Sequence, residues 1–188
     1  MNSSTSASGS GRRHVLLLLL LFATPLAFAF WLYYGSSWRP HTHTSPGTTL
    51  IDPARPLPQP GALAGKWSLV VVGSGEQGCD SSCRDTLIYA RQTWLSLGKL
   101  ASRAQRVLIA GEACCDEAYL QHEHQGLVLL RATTPDTQAW LPAFPAPLER
   151  SIFVVDPLGN LMMRYDVRAD PKGLREDLKK LLDLSHIG

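Results

Sequence analysis

The six residues Trp67-Ser-Leu-Val-Val-Val72 form an apolar, β-rich run. Such a run reads as a strand buried on both faces, which needs helices above and below its sheet. The sequence beyond it fits that demand. Between residues 84 and 100, Leu87, Ile88, Ala90, Trp94, Leu95 and Leu97 recur at near-helical spacing. Residues 106–110 read as a second short buried strand, 112–124 as a helix and 127–130 as a third strand. Pro135 begins a short helix carrying Trp140, and a proline-rich turn (Pro142, Pro145, Pro147) leads to a fourth strand at 151–155. Asp156-Pro-Leu-Gly159 is turn chemistry, with Pro suited to the second position and Gly to the last. Residues 161–165 then return as a fifth strand, antiparallel to the fourth. Asp170-Pro171 opens a last helix reaching Leu184, with Leu174, Leu178, Leu181 and Leu182 on one face. Residues 66–188 suffice for one modest domain. The expectation is an α/β fold, a central mixed sheet flanked by helices.

Upstream, residues 15–34 carry no charge and are long enough to cross a bilayer as a helix. Trp31, Tyr33 and Tyr34 cluster at the far end, where amphipathic rings prefer the membrane interface. Arg12 and Arg13 precede the run with no acid to balance them. They predict a single-pass inner-membrane protein with residues 1–14 cytoplasmic and the C-terminal domain periplasmic. The alternative is a cleaved signal peptide, with Arg12-Arg13 as n-region, residues 15–24 as h-region and Ala27-Phe-Ala29 as cleavage site. Either way, the remainder is exported. Residues 35–65, rich in Pro, Thr and Ser, read as an extended tether, and His41 and His43 within it as incidental. The net charge of +2 comes from Arg12 and Arg13 alone, because the other 16 basic residues match 16 acidic ones. No basic patch points to nucleic acid.

Cys79 and Cys83, spaced Cys-x-x-x-Cys, fall between the first strand and the first helix. A helix N-terminus offers unpaired N–H groups and partial positive charge, both of which stabilise a thiolate. Asp80 opposes that effect by charge repulsion and Arg84 compensates for it. Glu76 and Gln77 share the loop. Paired cysteines in this βαβ context are the thioredoxin arrangement, in which Cys79 would attack a partner disulfide and Cys83 would resolve the mixed disulfide. Cys79 and Cys83 also suit Cu(I), which favours two or three soft ligands. A third ligand would come from Cys114, Cys115, His122 or His124, which follow the second strand. The end of that strand lies at the sheet edge where the first helix begins. Adjacent cysteines bond to each other only through a strained ring, so at least one of Cys114 and Cys115 is expected to pair elsewhere or stay free. Four cysteines allow three complete pairings. Cys114 and Cys115 also suit a purely structural role, as a staple or as small buried residues. His122 and His124, two apart on the expected helix, should point to different sides and face solvent.

These residues resemble the Sco/SenC group of membrane-anchored, thioredoxin-like cytochrome oxidase assembly proteins over roughly residues 57–184. The resemblance rests on Gly65-Lys66-Trp67 before the first strand, on Cys79-x-x-x-Cys83, and on Ile152-Phe-Val-Val-Asp-Pro-Leu-Gly159 followed by residues 161–165. One N-terminal apolar span before a Pro-rich tether agrees with it. The resemblance implies a protein that binds copper, or reduces the copper-site cysteines of a respiratory oxidase subunit or another assembly factor. Three positions depart from the family. Leu148 aligns where a histidine completes the copper site, Arg84 replaces the proline after the second motif cysteine, and Ser151 falls near the place where thioredoxins carry a cis-proline.

Three functions compete. The first is a membrane-anchored thiol–disulfide or copper-handling factor in cytochrome c oxidase assembly. The second is a non-catalytic thioredoxin-like binding module with structural disulfides. The third is a general exported reductase or oxidant.

Overall fold

The computed structural model describes residues 9–35, 44–73, 78–115, 117–170 and 172–188. Two units emerge, residues 1–43 and 44–188. In the first, helix α1 (Gly9–Gly35) runs for 27 residues and is long and apolar enough to cross a membrane. At 1.5 Å per residue it spans about 40 Å, more than a hydrocarbon core of about 30 Å requires. Pro25 sits inside it, and the Thr24 hydroxyl donates to the Leu20 carbonyl at 2.6 Å.

The second unit is a six-stranded sheet with helices on both faces. Its elements run β1 (Thr48–Pro56), β2 (Trp67–Val72), α2 (Ser81–Ser96), β3 (Ala104–Ala110), α3 (Glu117–Glu123), β4 (Leu127–Arg131), α4 (Pro135–Trp140), β5 (Ser151–Val155), β6 (Asn160–Asp166) and α5 (Gly173–Leu184). Strand order is β1-β6-β5-β2-β3-β4. β2, β3 and β4 are mutually parallel, whereas β5 runs antiparallel to β2 and β6 to β5. This is the expected mixed sheet. β2 lies at its centre with all six residues buried.

Alternation along β2 divides the core. Trp67, Leu69 and Val71 face a cluster with Leu87 of α2 and Leu174, Leu178 and Leu182 of α5. Val70 and Val72 face the other side, with Trp140, Phe144 and Phe153. The Trp140 indole N–H is satisfied at 2.7 Å by the Pro58 carbonyl. The hairpin between β5 and β6 closes as expected: Asp156 Oδ1 accepts from the backbone of Leu158 (2.9 Å) and Asn160 (2.8 Å).

Three local expectations change. First, the segment read as an extended tether contains β1, which pairs antiparallel with β6 around an irregularity between Leu50 and Arg55. Pro53 and Pro56 make it look strand-breaking, yet an edge strand tolerates proline because one of its sides needs no ladder partner. Second, the helix expected over 112–124 is confined to α3, since residues 112–113 turn and 114–115 are irregular. Third, α2 begins at Ser81 rather than near residue 84, because Asp80 caps it. Pro171, His41 and His43 lie outside the described residues.

β1 is tied to α5 through Asp177. Its half-buried carboxylate accepts from the Ser45 backbone N–H (3.2 Å), the Ser45 hydroxyl (3.0 Å) and the Thr48 hydroxyl (2.6 Å). Truncation would leave those donors without their acceptor. Asp177→Ala is expected to lower stability by about 1–3 kcal/mol, read as an earlier urea midpoint; an unchanged midpoint would show the tie to be idle.

Candidate functional site

The site is built where β2 and β3, adjacent and parallel, deliver their following loops to the same sheet edge. The Gly73 N–H donates to the Ile109 carbonyl at 2.8 Å, extending the ladder one residue beyond β2. Glu76 and Gln77 lie outside the described residues. The chain re-enters at Gly78, with φ +75. A Cβ there would stand 2.6 Å from the Cys114 Cβ and 3.1 Å from the Gly111 nitrogen. Only glycine allows this approach, in conformation as well as in space. The loop before α2 therefore presses directly on the loop after β3.

Cys79 follows, and Asp80 then caps α2 by accepting from the Cys83 N–H at 2.8 Å. The Asp80 carboxylate thus serves the helix end, where the sequence suggested only a charge opposing a thiolate. The turn sets the Cα atoms of Cys79 and Cys83 5.1 Å apart, and the two are joined by a disulfide. Both are buried, Cys79 at 8 % exposure and Cys83 at 4 %.

The structure also joins Cys114 to Cys115, with Cα atoms 3.6 Å apart. Distant pairing or a free thiol was expected for at least one of them, and that expectation is corrected. Cys79 and Cys83 already hold each other, and Cys115 takes a positive φ of 77 that turns the chain back at this point. The supporting loop is anchored from β4: the Arg131 guanidinium donates to the carbonyls of Gly111 (3.2 Å) and Cys114 (3.3 Å). The sulfurs of Cys79, Cys114 and Cys115 all lie within 4.8 Å of one another. Beside them opens a cavity of about 350 Å³, lined by Cys79 and Cys115 with Arg84, Leu87, Tyr119 and Leu120.

A sheet whose first parallel βαβ unit carries paired cysteines at its turn can now be compared with known proteins. Residues 67–185 match the family described as the transmembrane-like, thioredoxin-like C-terminal domain. The chain belongs to that family. Among solved structures it is similar to yeast Sco1 with copper bound, at TM-score 0.51 and 17% identity over 79% of this chain and 96% of that one. It is also similar to ScoI of Arabidopsis thaliana with copper bound, at TM-score 0.50 and 16% identity over 66% of this chain and 88% of that one. At such identity the likeness is one of fold. No curated protein matches the sequence.

The remaining expectations can be placed on this transmembrane-like thioredoxin-like domain. β5 is antiparallel to β2, so the loop before it reaches the same sheet edge as the cysteines. Leu148, at the aligned histidine position, packs against the cluster of Trp140, Phe144 and Phe153, whereas Cys79, Cys83 and Cys114 belong to the cluster on the other side. Ser151 is buried, and its hydroxyl donates to the Pro147 carbonyl at 2.7 Å. The Ala146–Pro147 peptide is cis, four residues ahead of Ser151. The sequence reading missed that proline by seeking it at Ser151 itself. Arg84 lines the cavity with Cys79.

The two histidines diverge. His122 is exposed beside Glu123, 2.9 Å away, as expected. His124 is 1 % exposed, contrary to the expectation that it faces solvent. The two rings do point to different sides as expected, and that of His124 packs edge-on to Tyr119 while its backbone N–H donates to the Leu120 carbonyl at 2.9 Å. Neither belongs to the three-sulfur group. Helical spacing sets the two on different sides but does not say which side packs against the domain. Burial, with the Arg106 and Arg91 guanidinium groups nearby, holds the His124 pKa below its ordinary 6.5, and Glu123 only partly opposes them.

Two outcomes follow from this geometry. Gly78→Ala is expected to destabilise the domain by about 1–3 kcal/mol and to loosen the contact with Cys114; a wild-type denaturation curve would contradict it. Because the folded chain disfavours protonated His124, its contribution to stability is present above pH 6.5 and is lost as pH falls below that value. The loss is at most about 1.4 kcal/mol per pH unit. His124→Gln should flatten the dependence of Tm on pH between 6.5 and 5, and an unaltered slope would assign it to other groups.

Proposed function

We propose that this chain is a membrane-tethered thiol–disulfide exchange and copper-handling factor acting in the assembly of a cytochrome c oxidase copper site. The observation that carries the reading is the convergence of three cysteine sulfurs within 4.8 Å beside an open cavity, one of them from a Cys-x-x-x-Cys turn at a helix start. The fold likeness to Sco structures, two of them with copper bound, supports the same direction. In this reading α1 is the anchor, Arg12 and Arg13 keep its N-terminal end cytoplasmic, and the domain works in the periplasm.

In the reduced state, the Cys79 thiolate attacks one sulfur of a client disulfide and the other client sulfur leaves as a thiolate. The Cys83 thiolate then attacks Cys79 Sγ, closing the Cys79–Cys83 bond and releasing the second client thiol. Two electrons pass to the client, which suits oxidised cysteines that must be reduced before they accept copper. Copper is cargo here. Cu(I) takes two or three soft ligands, and the reduced sulfurs of Cys79, Cys114 and Cys115 form such a set without a histidine. Cys79 and Cys83 serve as the redox pair, with Cys79 common to both tasks.

A second reading is favoured by the burial of Cys79, Cys83 and Cys114 with both pairs closed. It makes the chain a non-catalytic thioredoxin-like binding module with structural disulfides. One strain separates the two. Full-length Cys79→Ser/Cys83→Ser, folded and inserted, is expected to lose most of the oxidase copper-site signal in electron paramagnetic resonance. A normal signal, together with disulfide potentials below about −300 mV, would establish the structural reading.

A further inference from the structure

Resting on that reading, we propose that Cys114–Cys115 is a second redox couple that exchanges directly with Cys79–Cys83, and that Cys115 is the sulfur that meets an external dithiol. The case begins with access. Cys79, Cys83 and Cys114 are all below 10 % exposed, whereas Cys115 is half-buried, and it shares the cavity wall with Cys79. An incoming thiol that enters this cavity reaches Cys115 with less obstruction than it meets at any other sulfur of the group. Arg84 on the same wall supplies a positive charge that favours thiolates within the cavity.

The second element is reach. Cys115, Cys114 and Cys79 sulfurs are mutual neighbours within 4.8 Å, so a thiolate formed on the vicinal pair needs only a side-chain rotation to touch Cys79. The two loops that carry them are held in register by the Gly78 approach and by the Arg131 hydrogen bonds to the Gly111 and Cys114 carbonyls. A purely structural staple would not require its sulfurs to lie beside that of Cys79, with Cys79 and Cys115 both lining a cavity.

The exchange balances. One thiolate of an external dithiol attacks Cys115 Sγ, the Cys114–Cys115 bond breaks, and Cys114 leaves as a thiolate. The second external thiolate attacks the first, so the donor departs as its disulfide and Cys115 is freed as a thiolate. Cys115 Sγ then attacks Cys79 Sγ, breaking the Cys79–Cys83 bond and releasing Cys83 as a thiolate. Cys114 finally attacks Cys115 Sγ, which restores the vicinal disulfide and frees Cys79. Two electrons and two protons have moved from the donor to Cys79 and Cys83, and the vicinal pair ends as it began. The donor is thereby identified by class: a dithiol of an exported reductase, slim enough to enter the cavity.

Two measurements on the full-length chain in detergent test this. In Cys83→Ser/Cys114→Ser, only Cys79 and Cys115 remain. Mild diamide oxidation is expected to join them, seen by mass spectrometry as a cross-link between tryptic peptides 67–84 and 107–131. In Cys114→Ser/Cys115→Ser, reduction of Cys79–Cys83 by dithiothreitol, followed by acid quench and alkylation, is expected to slow by about tenfold against wild type. Persistence of two alkylatable thiols in the first variant, or a wild-type reduction rate in the second, overturns the relay. If either variant fails to fold, the other measurement decides alone. The outcomes also separate the two proposals. A wild-type rate in Cys114→Ser/Cys115→Ser with oxidase assembly still lost in Cys79→Ser/Cys83→Ser removes the relay only. A cross-link and a slowed rate with normal assembly remove the oxidase role and leave the relay standing.

Discussion

The approach of Gly78 to Cys114 is the contact from which the rest of the site follows. Two parallel strands in register send their loops to one edge, but loops at one edge need not touch. Here they do, because glycine at φ +75 carries no Cβ, which would stand only 2.6 Å from that of Cys114. Remove that allowance and the two cysteine pairs would sit in neighbouring loops with backbone between them. With it, three sulfurs share one small volume. Around this contact the domain supplies only rigidity: the Asp80 cap fixes the start of α2, and Arg131 reaches across from β4 to hold the Gly111–Cys114 turn.

The same contact leaves a group of three sulfurs, without the histidine ahead of β5 that the sequence resemblance would imply. The loop before β5 reaches the correct edge, yet its aligned side chain, Leu148, is spent in the apolar cluster on the far face of the sheet. The sulfurs of Cys114 and Cys115, from the β3 loop, lie instead beside that of Cys79. A set made only of soft donors is consistent with Cu(I) and with disulfide exchange alike, since both depend on thiolates. This shared dependence is why one cluster can serve both tasks in the proposed function, and why the oxidation state of the cysteines decides between them.

Much of the fold was legible from the sequence for a simple reason. The apolar run of β2, the alternation in β6 and the leucine face of α5 are local patterns that burial imposes directly. β1 was not legible, because its partner β6 lies more than a hundred residues away and its prolines carry the opposite local signal. His124 was only half legible: its spacing from His122 set the two on different sides, but which side met the domain was a matter of packing.

The site divides along the same line. Cys-x-x-x-Cys between a strand and a helix is a local arrangement, so the sequence by itself determined that Cys79 and Cys83 could share a bond at the head of α2. It determined as well that an apolar span long enough for a bilayer precedes the domain. Only the tertiary structure decided that Cys114 and Cys115 join each other and stand against Cys79, and that Leu148 turns away. The Cys114–Cys115 bond is local, but its place against Cys79 and the orientation of Leu148 hang on distances between segments remote in sequence, set by strand register and by the one residue type that lets two backbones meet.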